Sequence, residues 1–124
     1  MEDSRRQLGN RGEHLAELFL IKNGMKILAR QFRTPFGEID LVGKVGDELV
    51  FVEVKTRLTD THGYPEESVT REKIKHLVKS AQSYLQSHQA EDQAWRIDVV
   101  AIRSLDGREP EIVHFKALDL PYGF

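Results

Sequence analysis

Two apolar segments joined by a very short connection set the tightest limit on this fold. They run from Gly37 through Glu38, Ile39, Asp40 and Leu41 to Val45, and from Glu48 through Val50, Val52, Glu53 and Lys55 to Arg57. Between them Gly46-Asp47 fits a two-residue hairpin loop, with glycine first as a type II′ turn requires. Counting outward, Val45 faces Glu48, Gly43 faces Val50, Leu41 faces Val52 and Ile39 faces Val54, which is one continuous apolar face. On the other face Asp40 lies opposite Glu53, and Glu38 lies opposite Lys55. A slip of one residue sets Asp40 against a valine and breaks both faces, so the pattern itself supports the register.

Directly opposed carboxylates, with Cβ atoms roughly 4.5–5.5 Å apart, repel unless a cation lies between them. Mg²⁺ is typically held by one or two carboxylates and takes further oxygens from water and substrate phosphate. Lys55 is two residues past Glu53 and projects from the same face, where an ammonium can orient water or stabilise phosphate charge. Two acids and a lysine around a divalent metal suit phosphodiester hydrolysis. The plain alternative is a cross-strand ion-pair cluster on a solvated face. The run Leu49-Val50-Phe51-Val52 with Val54 argues for central strands instead of a wet edge.

Asp40 followed by Glu53-Val54-Lys55 resembles the PD-(D/E)xK nuclease motif. The runs Gly-Glu-Ile-Asp-Leu-Val and Phe-Val-Glu-Val-Lys-Thr-Arg resemble the YraN-like family of small bacterial proteins, predicted endonucleases similar to archaeal Holliday-junction resolvases. Arg11-Gly12-Glu13, Ala81-Gln82-Ser83-Tyr84-Leu85 and Arg96-Ile97-Asp98-Val99-Val100 extend the likeness over nearly the whole chain. Ile39 stands where the superfamily label has proline. The resemblance implies a restriction-endonuclease-like fold and a metal-dependent deoxyribonuclease. Asp40 and Glu53 would hold Mg²⁺ or Mn²⁺, Glu13 would complete the acidic cluster, and Lys55 would position the attacking water.

The remaining elements are read from periodicity. Ser4 or Asp3 caps a first helix that stops at Gly24, with a stripe of Leu8, Gly12, Leu15, Ala16 and Phe19. Met25–Arg33 reads as a strand before the hairpin, and 58–65 as a loop. A second helix starts near Thr70, with Ile74, Leu77, Val78, Ala81 and Leu85 buried. Trp95–Ile102 and Glu111–Leu118 are strands separated by a turn at 105–108, and 119–124 is a tail. The crossover helix lets the fourth strand run parallel to the third. The expectation is a mixed α/β fold, a five-stranded sheet flanked by helices, formed as one domain over residues 1–124.

Glu38 can orient Lys55, or form a simple cross-strand pair. Arg57, on the face of Lys55, can clamp a phosphate. Lys73 and Lys79, with Arg71 and Lys75, give the second helix a basic face that can track a DNA backbone or simply be solvated. Asp98 in an apolar strand points to a structural ion pair with a basic residue nearby. The five histidines are scattered without zinc-type spacing and read as ordinary polar residues.

There is no cysteine, no apolar run long enough to span a membrane and no apolar core after the first residues, so a cytoplasmic address without membrane contact is expected. Eighteen basic against twenty acidic residues give a charge of −2, which is not the footprint of a strong non-specific DNA binder. The balance favours modest affinity. Cutting both strands of a junction takes two sites, so a homodimer is expected. The competing expectation is a nucleic-acid or protein-binding module on the same fold with little or no turnover.

Overall fold

A computed structural model describes residues 4–57, 70–103 and 109–120, with side chains from residue 9 onward. Helix α1 (Ser4–Lys22) stops where glycine permits it. Gly24 has φ +97°, and the Met25 and Gly24 N–H groups donate to Leu20 and Ile21 O at 3.0 Å, the paired bonds of a Schellman cap. Strands β1 (Lys26–Thr34), β2 (Gly37–Val45) and β3 (Glu48–Arg57) follow as an antiparallel meander. At the β2–β3 loop Gly46 takes φ +57°, the positive value its turn position requires.

Helix α2 (Arg71–Ser87) begins at an N-cap, Thr70, whose hydroxyl accepts from the Lys73 N–H at 3.1 Å. It carries the chain to β4 (Trp95–Arg103), which pairs parallel with β3, and β5 (Glu111–Phe115) closes the sheet antiparallel to β4. The strand order is β1-β2-β3-β4-β5. This is the expected mixed α/β architecture, a five-stranded sheet flanked by helices.

Each helix buries its stripe on the sheet. On the α2 side Leu77, Val78, Ala81, Tyr84 and Leu85 cover Val42, Leu49, Phe51 and Ile97. Near α1, Ala16, Leu20 and Met25 pack with Leu41, Val50, Val52, Val100 and Ile102. Burial of these aliphatic and aromatic groups is the main stabilising term, roughly 1.5–3 kcal/mol for each large side chain.

Two expectations need correction. The hairpin register holds from Val45↔Glu48 to Leu41↔Val52 and then stops. Ile39 packs with the α2 cluster while Leu41 and Val54 pack with the α1 cluster, so the continuous apolar face ends at Leu41. The change of phase falls at Asp40, whose Oδ2 accepts the Val54 N–H at 2.7 Å in place of a ladder carbonyl. In β1 the same level is Gln31, at φ +48° between the pairs Arg30↔Leu41 and Phe32↔Ile39.

The second correction is at β5, which ends at Phe115 and not at Leu118. The Ala117 N–H donates to Asp98 Oδ1 at 2.9 Å and the Leu118 N–H to Ile97 O at 2.8 Å, with Ala117 at φ +52°, so the chain leaves the ladder. The expected loop at 58–65 and turn at 105–108 lie outside the described residues, as does most of the expected tail.

Candidate active site

Three elements meet where β2 and β3 part. Glu53, near the end of β3, is only 4% exposed. Its Oε1 lies 3.4 Å from Lys73 Nζ and 3.6 Å from Lys55 Nζ. Its Oε2 is buried and has no hydrogen-bond partner among the described residues. A buried carboxylate oxygen without a donor is costly, and such a group calls for a cation or a specific role.

Asp40 stands next to it. Burial pushes its carboxyl up to about 7, the Glu53 charge adds to the rise, and the Val54 N–H bond opposes it. Asp40 therefore does two things: one oxygen closes the β3 backbone, and the group also senses the charge on Glu53. Glu13, one helical turn before Glu17 on α1, is raised chiefly by burial, with the Glu38 and Glu53 charges adding and a hydrogen bond from Gln31 opposing. That bond runs from Gln31 Nε2 to Glu13 Oε1 at 3.4 Å. Among the described residues no group of three or more His, Asp or Glu side chains is placed to hold a metal ion. Two carboxylates with room for water and phosphate are the usual complement for a magnesium-type ion. The orphaned Glu53 oxygen and the Asp40 proton demand fit such a cation.

Glycine at position 12 allows Glu13 to come this close. A Cβ there would sit 2.1 Å from Thr56 Oγ1, so α1 rests directly on β3. Gly12→Ala is expected to destabilise the protein by about 1–3 kcal/mol through this overlap. Thr56→Ala should recover part of that loss, and urea denaturation of the single and double variants measures it. Strictly additive effects would count against this close approach.

The structure brings Asp40, Glu53, Lys55 and Lys73 together, with Glu13 at the margin. It does not bring Glu38 to Lys55. Glu38 pairs with Arg33 of β1 at 3.4 Å, because Arg33↔Glu38 is a ladder pair, and Lys55 reaches Glu53 instead. Arg57 is exposed at the end of β3. Lys79 is also exposed, with Nζ 5.6 Å from the centroid of the Phe36 ring. Lys73 belongs to the acidic site more than to a solvated helix face. Two clefts flank the site. One of about 340 Å³ is lined by Glu13, Glu17, Gln31 and Leu41, and one of about 150 Å³ by Phe36, Glu38, Lys73 and Ser80.

Gln31 was not apparent from sequence. A non-glycine residue at positive φ inside a strand costs on the order of 1–3 kcal/mol and concentrates at functional sites. No local pattern announces it. Asp98 is fully buried as a structural centre: it accepts from Arg96 Nε at 3.0 Å and the Ala117 N–H at 2.9 Å, and His114 Nε2 lies 2.7 Å away. Burial alone would raise its carboxyl, but the bonds from His114, Arg96 and Ala117 outweigh it and hold it below the usual range. His114 is thus part of a buried network and not one more ordinary polar residue.

A mixed sheet that presents acids and lysines where two strands diverge defines an α/β protein with a charged site. Residues 12–102 match the model of Uncharacterised protein family UPF0102, and the chain belongs to that family. A UPF0102 protein of Syntrophotalea carbinolica is 44% identical over 93% of each chain. One from Syntrophomonas wolfei is 48% identical over 83% of this chain and 90% of its own. One from Geotalea daltonii is 42% identical over 98% and 96%. Among solved structures, EndoMS in a complex with double-stranded DNA is 22% identical over 75% of this chain and 36% of its own, with a TM-score of 0.33. Pyrococcus furiosus SfsA in complex with Ca²⁺ is 16% identical over 90% and 63%, with a TM-score of 0.42. This chain spans less than two thirds of either. These likenesses are partial.

Proposed function

We propose that the protein is a metal-dependent endonuclease that hydrolyses DNA phosphodiester bonds in branched or otherwise structured DNA. The observation that carries this reading is the buried, unpartnered Oε2 of Glu53 beside an Asp40 whose carboxyl is raised to about 7. Asp40 and Glu53 would hold Mg²⁺ or Mn²⁺, with Glu13 completing the acidic cluster. When bound, the ion lowers the pKa of water and neutralises charge developing on the phosphate. Lys55 orients the attacking water and Lys73 stands by to balance phosphate charge. The water oxygen bonds to phosphorus as the bond to the departing deoxyribose oxygen breaks; the water's proton passes to bulk solvent, and the deoxyribose oxygen takes one up from it. Arg57 and Lys79 contact flanking phosphates. On a four-way junction the active form is a two-fold homodimer, which light scattering of the complex would show.

A second reading has its own support. Glu53 Oε1 is already shared by Lys55 and Lys73, so part of the charge is balanced without a metal. That suits a binding module with little turnover, as does the net charge of −2. Calorimetry separates the two. The enzyme reading expects about one Mn²⁺ per chain. Its affinity should rise about fivefold from pH 6 to 7, because Asp40 must release its proton to solvent before it can hold the metal. Glu53→Gln should abolish binding. Absence of any saturable metal binding in the parent would favour the module.

A further inference from the structure

The smaller cleft lies on the α2 side, and Lys73 is common to it and to the acidic site. Its rim is Phe36, in the turn between β1 and β2. Phe36 is 46% exposed, although it sits beside a buried charged site. A lone exposed aromatic residue is ordinary on a protein surface. Three further observations set this one apart.

The turn is held in place. Thr34 Oγ1 donates to Gly37 O at 2.9 Å, accepts from the Phe36 N–H at 3.1 Å, and lies 2.9 Å from Ser80 Oγ of α2. Gly37 follows at φ +139°, a backbone value that L side chains rarely adopt. A cation accompanies the ring, since Lys79 Nζ is 5.6 Å from its centroid. The cleft then leads past Lys73, whose ammonium is 3.4 Å from Glu53 Oε1. At about 150 Å³ it is a small space, suited to one flat ring and not to a duplex.

We propose that Phe36 is a stacking platform for one unpaired base, and that the substrate class is DNA with a single-stranded nucleotide beside the phosphate to be cut. The inference rests on the nuclease reading and adds to it what the site selects. Aromatic faces stack bases of any sequence, and lysines beside them track the backbone. A base on Phe36 has Lys79 and Lys73 within reach of its phosphates, and Lys73 leads directly to Glu53. Paired DNA keeps its bases in the helix and cannot use the platform.

The test is binding without metal, in EDTA, so that it does not depend on cleavage. The probes are an oligothymidylate and a blunt duplex of equal length. Phe36→Ala should weaken oligothymidylate binding by about five- to a hundredfold and leave duplex binding within about twofold, since base–aromatic stacking contributes on that scale. Phe36→Tyr should restore parental affinity. In Phe36→Trp, the introduced indole should be quenched by the oligothymidylate and not by the duplex, with the parent and its Trp95 as the control. Equal affinities of the parent and Phe36→Ala for the oligothymidylate, or no quenching at saturation, would overturn the proposal even if metal-dependent cleavage is found. Quenching without any cleavage would uphold the platform and remove the nuclease reading.

Discussion

Asp98→Ala is expected to lower stability by roughly 3–5 kcal/mol, because it leaves Arg96, His114 and the Ala117 N–H facing an empty buried site. Against a total of about 5–15 kcal/mol for a typical domain, that is a large fraction of the whole. The melting temperature should fall by about 10 °C or more. β5 should loosen first, since His114 within it and the Ala117 N–H just after it both bond to Asp98 of β4. The pH dependence follows from the lowered carboxyl of Asp98. Its contribution is present above the unfolded value of 3.8 and is lost as pH falls toward and through the folded value. The parent should therefore lose stability below about pH 4, while Asp98→Ala shows a shallower slope there. Thermal melts from pH 3 to 7 measure this, and an Asp98→Ala protein as stable as the parent would contradict the assigned network.

At the site, Asp40→Asn, Glu53→Gln and Lys55→Ala are each expected to reduce cleavage by about a hundredfold or more, with the fold retained. Stability should separate Asp40 from an ordinary surface acid. Its carboxyl rises from 3.8 to about 7 on folding, so the native state keeps a proton that the unfolded chain releases. The contribution of Asp40 to metal-free stability is therefore fully present below about pH 4 and is lost as pH rises toward and through 7. Asp40→Asn removes that slope and still offers an oxygen to the Val54 N–H, so at pH 8 it should be more stable than the parent. Asp40→Ala leaves that N–H unpaired at a cost of about 1–3 kcal/mol and should be less stable than Asp40→Asn. Chemical denaturation at pH 4 and pH 8 decides the matter. An Asp40→Asn protein that follows the parent at both values would show that no raised carboxyl exists.

The parts that could be read from sequence were those fixed by short-range rules. Gly46 and the two-residue alternation gave the hairpin its register, Gly24 gave α1 its end, and Thr70 gave α2 its cap. The acids and Lys55 stood out because charges are rare in apolar strands. What was hidden depends on contacts distant in sequence. Glu38 turned to Arg33 because β1 supplies its partner. Lys73 joined Glu53 only once α2 was folded onto the sheet. β5 stopped early because Asp98, nineteen residues away, captures the Ala117 N–H. The phase change at Gln31 and Asp40 has no local signature at all, since nothing near a glutamine signals a left-handed backbone. That change is where the alternation rule failed, and it lies at the candidate site.

The most direct measurement is cleavage of single-stranded, duplex, flap and four-way DNA by the parent and by Glu53→Gln, each with Mg²⁺, with Mn²⁺ and with EDTA. Metal-dependent cutting of the flap or four-way substrate is expected from the parent, and none from Glu53→Gln or in EDTA. Cutting that persists in Glu53→Gln or in EDTA would contradict the metal-dependent nuclease reading, and so would a parent that binds these DNAs and metal but cuts none of them.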